Sequence, residues 1–183
     1  MIVSVFGSSR IERDGAEYRE AYLVGRLLAK RGYVVCNGGY SGAMEAVSRG
    51  CKEAGGRTIG VTVRVFDGLT PNEFIDEEVG TASLLLRLDK LTELGDAYVV
   101  LLGGIGTLLE TSLVWNLKLM HVYPRKPIVL LGTAWRETID SLARYLLIRE
   151  VDRAAFLFAD TPHEAIAALE RHAAKAAEQD SRG

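Results

Sequence analysis

Residues 98–110 read YVVLLGGIGTLLE, in which an apolar run passes directly into a glycine-rich turn and then into a helical pattern. An uninterrupted apolar run of this length favours a buried strand. Glycine lets the backbone approach a ligand closely because it has no Cβ. A helix that starts in the turn directs free N–H groups and a partial positive charge towards it. The segment therefore predicts a strand, an anion-binding turn suited to a phosphate, and a helix that carries Glu110 in its first turns.

The same alternation of apolar runs and amphipathic helical patterns extends along the chain. Strand-like runs lie at 2–6, 33–36, 58–63, 97–102, 127–131 and 155–158. Helical patterns lie between and after them, at about 18–29, 42–54, 83–94, 107–121 and 139–147, and from 161 onwards. This order predicts an α/β fold, a single-domain doubly wound parallel sheet (Rossmann-like) with helices on both faces. We expect one nucleotide-binding domain over 1–175, a polar tail over 176–183, and a long irregular loop over 65–79.

Three glycine-bearing turns follow predicted strands, at residues 7–10, 38–42 and 103–107. In a doubly wound sheet such turns gather at the carboxyl ends of the strands, where ligands bind near the change in strand order. The residues that we expect to bind the phosphate or sugar are Gly7, Ser8, Ser9, Gly38, Gly39, Ser41, Gly103, Gly104, Gly106 and Thr107. The serines are also ordinary turn residues. In the 65–79 loop, Asn72 and Glu73 are either contacts to a base or plain loop residues.

Composition limits the partners that we expect. The net charge of −2 gives no reason to expect a nucleic acid polymer as a partner, and no apolar run approaches the ~20 residues of a membrane helix. Three scattered histidines and two cysteines lack metal-ligand spacing, so we expect no metal, and Cys36 and Cys51 are expected to be buried free thiols. The apolar first strand without a basic leader makes a cytoplasmic location the expectation.

The glycine-rich segments resemble those of a known family. Residues 103–110 resemble the motif P-G-G-x-G-T-x-x-E of the LOG proteins, which are cytokinin riboside 5′-monophosphate phosphoribohydrolases. Residues 38–45 resemble the G-G-G-x-x-G-x-M turn of that family, and Arg87 lies where the family has the arginine of a second signature. The chain also departs from the pattern: Leu102 replaces the proline, Leu88 a lysine, and Asn37 and Glu45 replace glycines.

The resemblance, which covers roughly residues 2–131, implies an activity. A LOG-like protein would hydrolyse the N-glycosidic bond of a nucleoside 5′-monophosphate such as AMP or an N6-substituted AMP, giving the free base and ribose 5-phosphate. Glu110 would be catalytic at the ribose, and Arg87 would contact a charged group of the substrate. The family pattern needs no cofactor and implies a homodimer, for which residues 115–120 offer an apolar face. The departures keep a second interpretation open, a non-catalytic nucleotide-binding sensor or carrier.

Local sequence leaves two roles for each catalytic candidate. Thr107 and Glu110 have the spacing of a capping box, which would turn the carboxylate back to its own helix end. Arg87 is either a solvated charge at the edge of an amphipathic helix or a forked donor to a ligand.

Overall fold

The computed structural model describes residues 1–63, 68 and 70–180. Its strands are β1 (Ile2–Phe6), β2 (Val34–Asn37), β3 (Thr58–Val63), β4 (Glu77–Thr81), β5 (Ala97–Val100), β6 (Ile128–Leu131) and β7 (Phe156–Ala159). Its helices are α1 (Ala16–Lys30), α2 (Ala43–Glu53), α3 (Leu84–Leu94), α4 (Ile105–Leu119), α5 (Thr133–Tyr145), α6 (Glu150–Arg153) and α7 (Pro162–Asp180).

Within the described residues, seven strands form one parallel sheet in the order β4-β3-β2-β1-β5-β6-β7. Strand β1 lies in the middle, with Val3 paired to Val35 of β2 on one side and to Ala97 of β5 on the other. The chain winds outward from β1 in both directions, so the strand order changes between β1 and β5. This is the doubly wound α/β architecture that the alternating pattern predicted.

The two faces of the sheet carry separate cores because side chains alternate along each strand. In β1, Val3 and Val5 pack in a core that includes residues of α1, α2 and α7. Phe6 points the other way, into a core with residues of α3, α4 and α5. Ser4 shares that second face, and its hydroxyl donates to the Leu91 carbonyl of α3 at 2.7 Å. Helices therefore cover both faces.

Two elements were not predicted from the sequence. Strand β4 lies at the end of the segment expected to be an irregular loop, and it is an edge strand whose residues Glu77, Glu78 and Gly80 are exposed. It therefore lacks the continuous apolar run of a central strand. Helix α6 has only four residues, too few for a periodic pattern. Of the loop, Val65 and Phe66 lie outside the described residues.

The last helix is longer than expected. Helix α7 continues to Asp180, so residues 176–180 of the expected polar tail are helical. Among the described residues, none of the helices combines the length and the apolar character that crossing a membrane requires. Both cysteines are buried and free, as expected from their apolar surroundings. Burial raises the pKa of the Cys36 thiol to about 12 and that of Cys51 to about 11, so neither is a ready nucleophile.

Candidate functional site

The three glycine-bearing turns meet at the carboxyl ends of β1, β2 and β5. The Ser8 N–H donates to the Leu102 carbonyl at 3.2 Å, which joins the first turn to the third. The Ala43 N–H donates to the Ser8 carbonyl at 2.8 Å, which joins the second turn to the first. Gly42 has a φ of +66°, and a Cβ there would lie 2.5 Å from the Ser8 oxygen. The close approach of the first two turns therefore requires glycine at this position.

A cavity of about 570 Å³ opens between these turns and the helices α3 and α4. Ten of the residues expected at the site line it: Gly7, Ser8, Ser9, Gly38, Ser41, Arg87, Gly104, Gly106, Thr107 and Glu110. Gly39 and Gly103 lie behind its wall. A Cβ on Gly103 would lie 2.1 Å from the Thr107 hydroxyl oxygen, and Gly39 has a φ of +79°, so both shape the turns rather than face the cavity.

The third turn presents the start of α4 to this cavity. Gly104 is the N-cap, and the Leu108 N–H makes the first helical bond to the Gly104 carbonyl at 2.9 Å. The N–H groups of residues 105–107 come before that bond and therefore have no acceptor within the helix. A Cβ on Gly104 or Gly106 would meet no heavy atom within 4 Å, so the backbone here is open to a ligand. The arrangement suits an anion such as a phosphate.

The capping-box interpretation of Glu110 is wrong. Because α4 begins at Ile105, Thr107 is its third residue and Glu110 its sixth, so neither occupies a cap position. Instead the Glu110 carboxyl lies in the cavity, with its side chain only 13% exposed. Burial raises the pKa of Glu110 to about 7, while the nearby Arg87 cation acts in the opposite direction. A carboxyl with a pKa near neutrality can both take up and release a proton at physiological pH.

Arg87 is buried beside Glu110 and is not a solvated charge. Its Nε donates to the Val61 carbonyl at 2.8 Å, and its Nη1 lies 3.6 Å from Glu110 Oε1. Its Nη2 lies 4.0 Å from the Met44 sulfur, and the guanidinium stands 5.8 Å from the centre of the Tyr40 ring. The two terminal nitrogens thus retain capacity to donate to a ligand in the cavity.

Gly38 makes the room that Arg87 occupies. A Cβ on Gly38 would lie 1.8 Å from Arg87 Nη2 and 2.6 Å from the Met44 sulfur. The absence of a side chain here therefore lets the guanidinium reach the cavity between the second turn and α4. The role of this glycine is to admit a neighbouring side chain, and its φ lies outside the left-handed region.

Two of the three serines that we expected to bind a ligand already take part in the turns. The Ser8 hydroxyl oxygen accepts from the Arg10 N–H at 3.0 Å, and the Ser41 hydroxyl donates to the Ser9 carbonyl at 3.3 Å. Ser8 keeps its hydroxyl proton and Ser41 keeps its oxygen lone pairs for a further bond. Ser9 is exposed and lies at the rim of the cavity.

Asn72 supports the second turn rather than reaching into the cavity. Its Nδ2 donates to the carbonyls of Gly39 and Tyr40 at 3.0 and 2.8 Å. Sequence reasoning left open a contact of Asn72 with a base, and the structure favours the loop interpretation. The sequence analysis did not identify Tyr40 or Met44 as site residues, although both line the cavity. Met44 stands at the methionine of the second-turn motif, which was the available signal, whereas Tyr40 stands at an unspecified position of that motif and has no periodicity to mark it.

Three of the four departures from the LOG motifs have a defined place in the structure, and nothing in the structure explains Leu102. Asn37 Oδ1 accepts the Gly39 N–H at 2.8 Å, and its Nδ2 donates to Ser48 at 2.8 Å, so this side chain braces the second turn. The Glu45 carboxylate pairs with Arg13 at 2.9 Å, away from the cavity. Leu88 lines the cavity, where it replaces a charged group by an apolar wall.

No group of three or more His, Cys, Asp and Glu side chains in the described part of the chain is arranged to hold a metal ion. The ionisable side chains that line the cavity, tyrosine aside, are Arg10, Arg87 and Glu110. The chemistry that the described residues offer is therefore anion binding by backbone N–H groups and acid–base or electrostatic work by one carboxyl.

Comparison with known proteins identifies the family. A family model described as the SLOG cluster4 family matches residues 1–166. The chain belongs to the SLOG cluster4 family. An uncharacterized protein from Archaeoglobus fulgidus is 31% identical over 151 residues, which covers 82% of this chain and 97% of that protein.

Curated relatives of this SLOG cluster4 chain include LOG proteins. The cytokinin riboside 5′-monophosphate phosphoribohydrolase of Mycobacterium tuberculosis is 34% identical over 110 residues, covering 58% of each chain. The match thus spans little more than half the length of that relative. It confirms the resemblance to LOG proteins that the glycine-rich motifs indicated.

Solved structures similar to this SLOG cluster4 protein carry a different description. The molybdenum cofactor carrier protein of Chlamydomonas reinhardtii superimposes with a TM-score of 0.71 at 27% identity, covering 94% of this chain and 98% of that one. A molybdenum cofactor binding protein from Rippkaea orientalis superimposes with a TM-score of 0.75 at 23% identity, covering 93% and 95%. At that identity, the second likeness shows the fold alone.

Proposed function

We propose that this protein hydrolyses the N-glycosidic bond of a nucleoside 5′-monophosphate, AMP or an N6-substituted AMP, to the free base and ribose 5-phosphate. The observation that carries the proposal is the position of Glu110. Its carboxyl lies in the cavity, 3.6 Å from Arg87 and one to two helical turns from the open N–H groups at the start of α4. A nucleotide whose phosphate occupies the third turn would bring its ribose towards this carboxyl.

The chemistry follows from the charge that develops at the sugar. Hydrolysis breaks the bond between C1′ and the base nitrogen and forms a bond from C1′ to a water oxygen, through an oxocarbenium-like state. An ionised Glu110 stabilises that positive charge and accepts a proton from the attacking water. The leaving base takes up a proton at its nitrogen. Arg87 partly offsets the rise that burial causes in the pKa of Glu110. It also offers its terminal N–H groups to a charged group of the substrate.

The LOG relatives support the reaction class. The name of the M. tuberculosis relative describes a phosphoribohydrolase acting on a nucleoside 5′-monophosphate. Residues 103–110 of this chain, which resemble the LOG motif, contain Glu110. Because the match covers 58% of that relative, we transfer the class of reaction and treat the identity of the base as open to measurement.

The test is release of base from AMP and N6-substituted AMP by the purified protein, followed by chromatography. We expect turnover that the Glu110→Gln variant lowers by at least about 100-fold, since a positioned acid–base group contributes about that much. Glu137→Gln is the matched control, because Glu137 lies on the exposed face of α5 outside the cavity, and it should leave turnover unchanged. Equal rates for wild type and Glu110→Gln would disprove the assigned role.

A carrier without turnover is the second candidate, and two observations favour it. The C. reinhardtii carrier protein matches nearly the whole chain at 27% identity, and Leu88 gives the cavity an apolar wall where LOG proteins have a lysine. Tight binding of AMP with no base released, measured by calorimetry and chromatography on the same sample, would select the carrier.

We also propose that the protein forms a homodimer through helices α3 and α4. An apolar surface, here called the α3–α4 face, consists of large side chains that are 37–83% exposed: Leu84, Leu85, Leu86, Ile105, Leu109 and Leu119, with Met120 beside them at 70%. Trp115, expected on this face, is instead in the core and donates to the Asp152 carbonyl at 2.8 Å. Large apolar side chains exposed together on two helices favour association.

A further inference from the structure

Tyr40 is fixed in place at both its backbone and its hydroxyl. Its side chain is buried, and its hydroxyl oxygen accepts the Val63 N–H at 2.9 Å and lies 3.2 Å from the Val63 carbonyl, at the end of β3. Its carbonyl accepts from Asn72 at 2.8 Å. The ring therefore forms a rigid wall between the second turn and the edge of β3.

The Arg87 guanidinium lies against this wall, in the room left by Gly38 and beside Met44 and Glu110. One short hydrogen bond, from Nε to the Val61 carbonyl at 2.8 Å, ties it to the same strand that anchors the tyrosine hydroxyl. The terminal nitrogens are 3.6 Å from Glu110 and 4.0 Å from the Met44 sulfur, both longer than a good hydrogen bond to nitrogen or oxygen. Because the guanidinium is planar, the bond at Nε fixes one edge of it and leaves the tilt of its plane to the groups packed against its faces.

The Tyr40 ring adds a contact to the guanidinium itself. The guanidinium carbon lies 5.8 Å from the centre of the Tyr40 ring, within the range of a cation–π contact, and both groups are buried, where such contacts are strongest. The second-turn motif G-G-G-x-x-G-x-M leaves the position of Tyr40 unspecified, so the motif itself assigns no role to the ring.

We propose that Tyr40 is a positioning residue, which holds the Arg87 guanidinium so that its terminal nitrogens face Glu110 and the ligand. The effect of Tyr40 on turnover rests on the proposed function, whereas its effect on the position of Arg87 does not. Two cationic side chains line the described cavity, Arg87 from α3 and the exposed Arg10 from the first turn. Arg87 is the one that lies 3.6 Å from Glu110 and opposes the effect of burial on the carboxyl, so a displaced Arg87 leaves the carboxyl with less compensating charge.

The kinetic test compares Tyr40→Phe with Tyr40→Leu. Phenylalanine keeps the ring and loses the hydroxyl bonds to Val63, whereas leucine loses both. We expect Tyr40→Leu to lower kcat by roughly 10-fold, with KM changing by less than about 3-fold, and Tyr40→Phe to stay within about 3-fold of wild type. Equal losses in the two variants would assign the effect to the hydroxyl and overturn the proposal.

The second test needs no turnover. The pH dependence of the unfolding free energy reports the pKa of Glu110. In Tyr40→Leu, we expect the unfolding free energy to continue falling as the pH rises beyond about 7. A merely structural role would lower stability by the same amount at every pH. If Tyr40→Leu does not fold, Tyr40→Met removes the ring while filling more of its volume. An unmoved pH range would overturn the positioning role, whereas a shifted range without base release would reject only the proposed reaction.

Discussion

At the scale of single residues, the unusual feature is an acidic side chain placed where ionisation is costly. Burial raises the pKa of Glu110 from its ordinary value of 4.5 to about 7, although Arg87 opposes the shift. One pKa unit corresponds to about 1.4 kcal/mol, so the folded protein is destabilised by about 3 kcal/mol when this carboxyl ionises. A cost of that size at a position without a capping role is typical of functional sites.

This cost predicts how stability depends on pH. From about pH 4.5 to about pH 7 the folded protein retains a proton that the unfolded chain has lost, so the unfolding free energy of the wild type should fall as pH rises and then level off. The Glu110→Gln variant should lack that contribution and be more stable than wild type by about 2–3 kcal/mol near pH 8. Urea unfolding at a series of pH values measures both curves.

The matched control for this experiment is again Glu137→Gln, whose curve should run parallel to that of the wild type. Parallel curves for wild type and Glu110→Gln would show that Glu110 titrates normally in the folded protein, which contradicts the buried environment described above.

The site could be predicted in part from such residues. Glu110 and Arg87 were found because they stand in spaced motifs beside glycines, and the structure brings both to one cavity. The roles of Ser8 and Ser41 in bracing the turns were not decidable, because a hydroxyl in a turn has the same signature whether it binds a ligand or the backbone. Tyr40 could not be predicted at all, because its contact with Arg87 spans 47 residues of sequence and depends on the sheet order.

At the scale of elements, the central strands and the long helices were predictable and the boundaries were less so. Buried parallel strands such as β1 and β3 are recognisable as continuous apolar runs, whereas the edge strand β4, with exposed Glu77 and Glu78, has no such run. Helix α4 starts two residues before the threonine expected at its N-cap, because the glycine at 104 serves as the cap. That shift of two residues decides the role of Glu110.

The pair α1 and α2 offers a test at this scale, because their backbones approach at two glycines. A Cβ on Gly25 of α1 would lie 1.9 Å from the Val47 carbonyl oxygen, and one on Gly50 of α2 would lie 2.0 Å from the Tyr22 oxygen. Alanine inside a helix normally stabilises it by up to about 1 kcal/mol relative to glycine. Here Gly25→Ala should instead lower the unfolding free energy by about 3 kcal/mol, since backbone cannot move aside cheaply.

Thermal and urea unfolding of Gly25→Ala measure this effect. Gly106→Ala is the control, since Gly106 is also helical but a Cβ there would meet no heavy atom within 4 Å. That variant should be as stable as wild type or slightly more so. A stable Gly25→Ala protein would mean that the two helices are farther apart than described.

At the scale of the whole molecule, topology explains why distant motifs form one site. The first, second and third turns are separated by up to about a hundred residues in sequence, and they meet because β1, β2 and β5 are parallel neighbours whose carboxyl ends share an edge. The general rule for doubly wound sheets made this predictable before any contact was known. The rule does not predict which side chains are exposed on the folded chain, where the α3–α4 face lies beside the opening of the cavity.

The proposed homodimer gives the last prediction. Burial of the α3–α4 face against a second copy would remove about 800 Å² per chain from water in an interface of standard size. A glutamate at Leu85, which is 77% exposed on this face, should weaken association by at least about 100-fold. Leu147→Glu is the matched control, because Leu147 is fully exposed beyond the end of α5. Sedimentation equilibrium should give twice the chain mass for wild type and Leu147→Glu and a single chain mass for Leu85→Glu. A monomeric wild type would reject the homodimer. If Leu147→Glu were monomeric and Leu85→Glu dimeric, the interface would lie at the end of α5 instead.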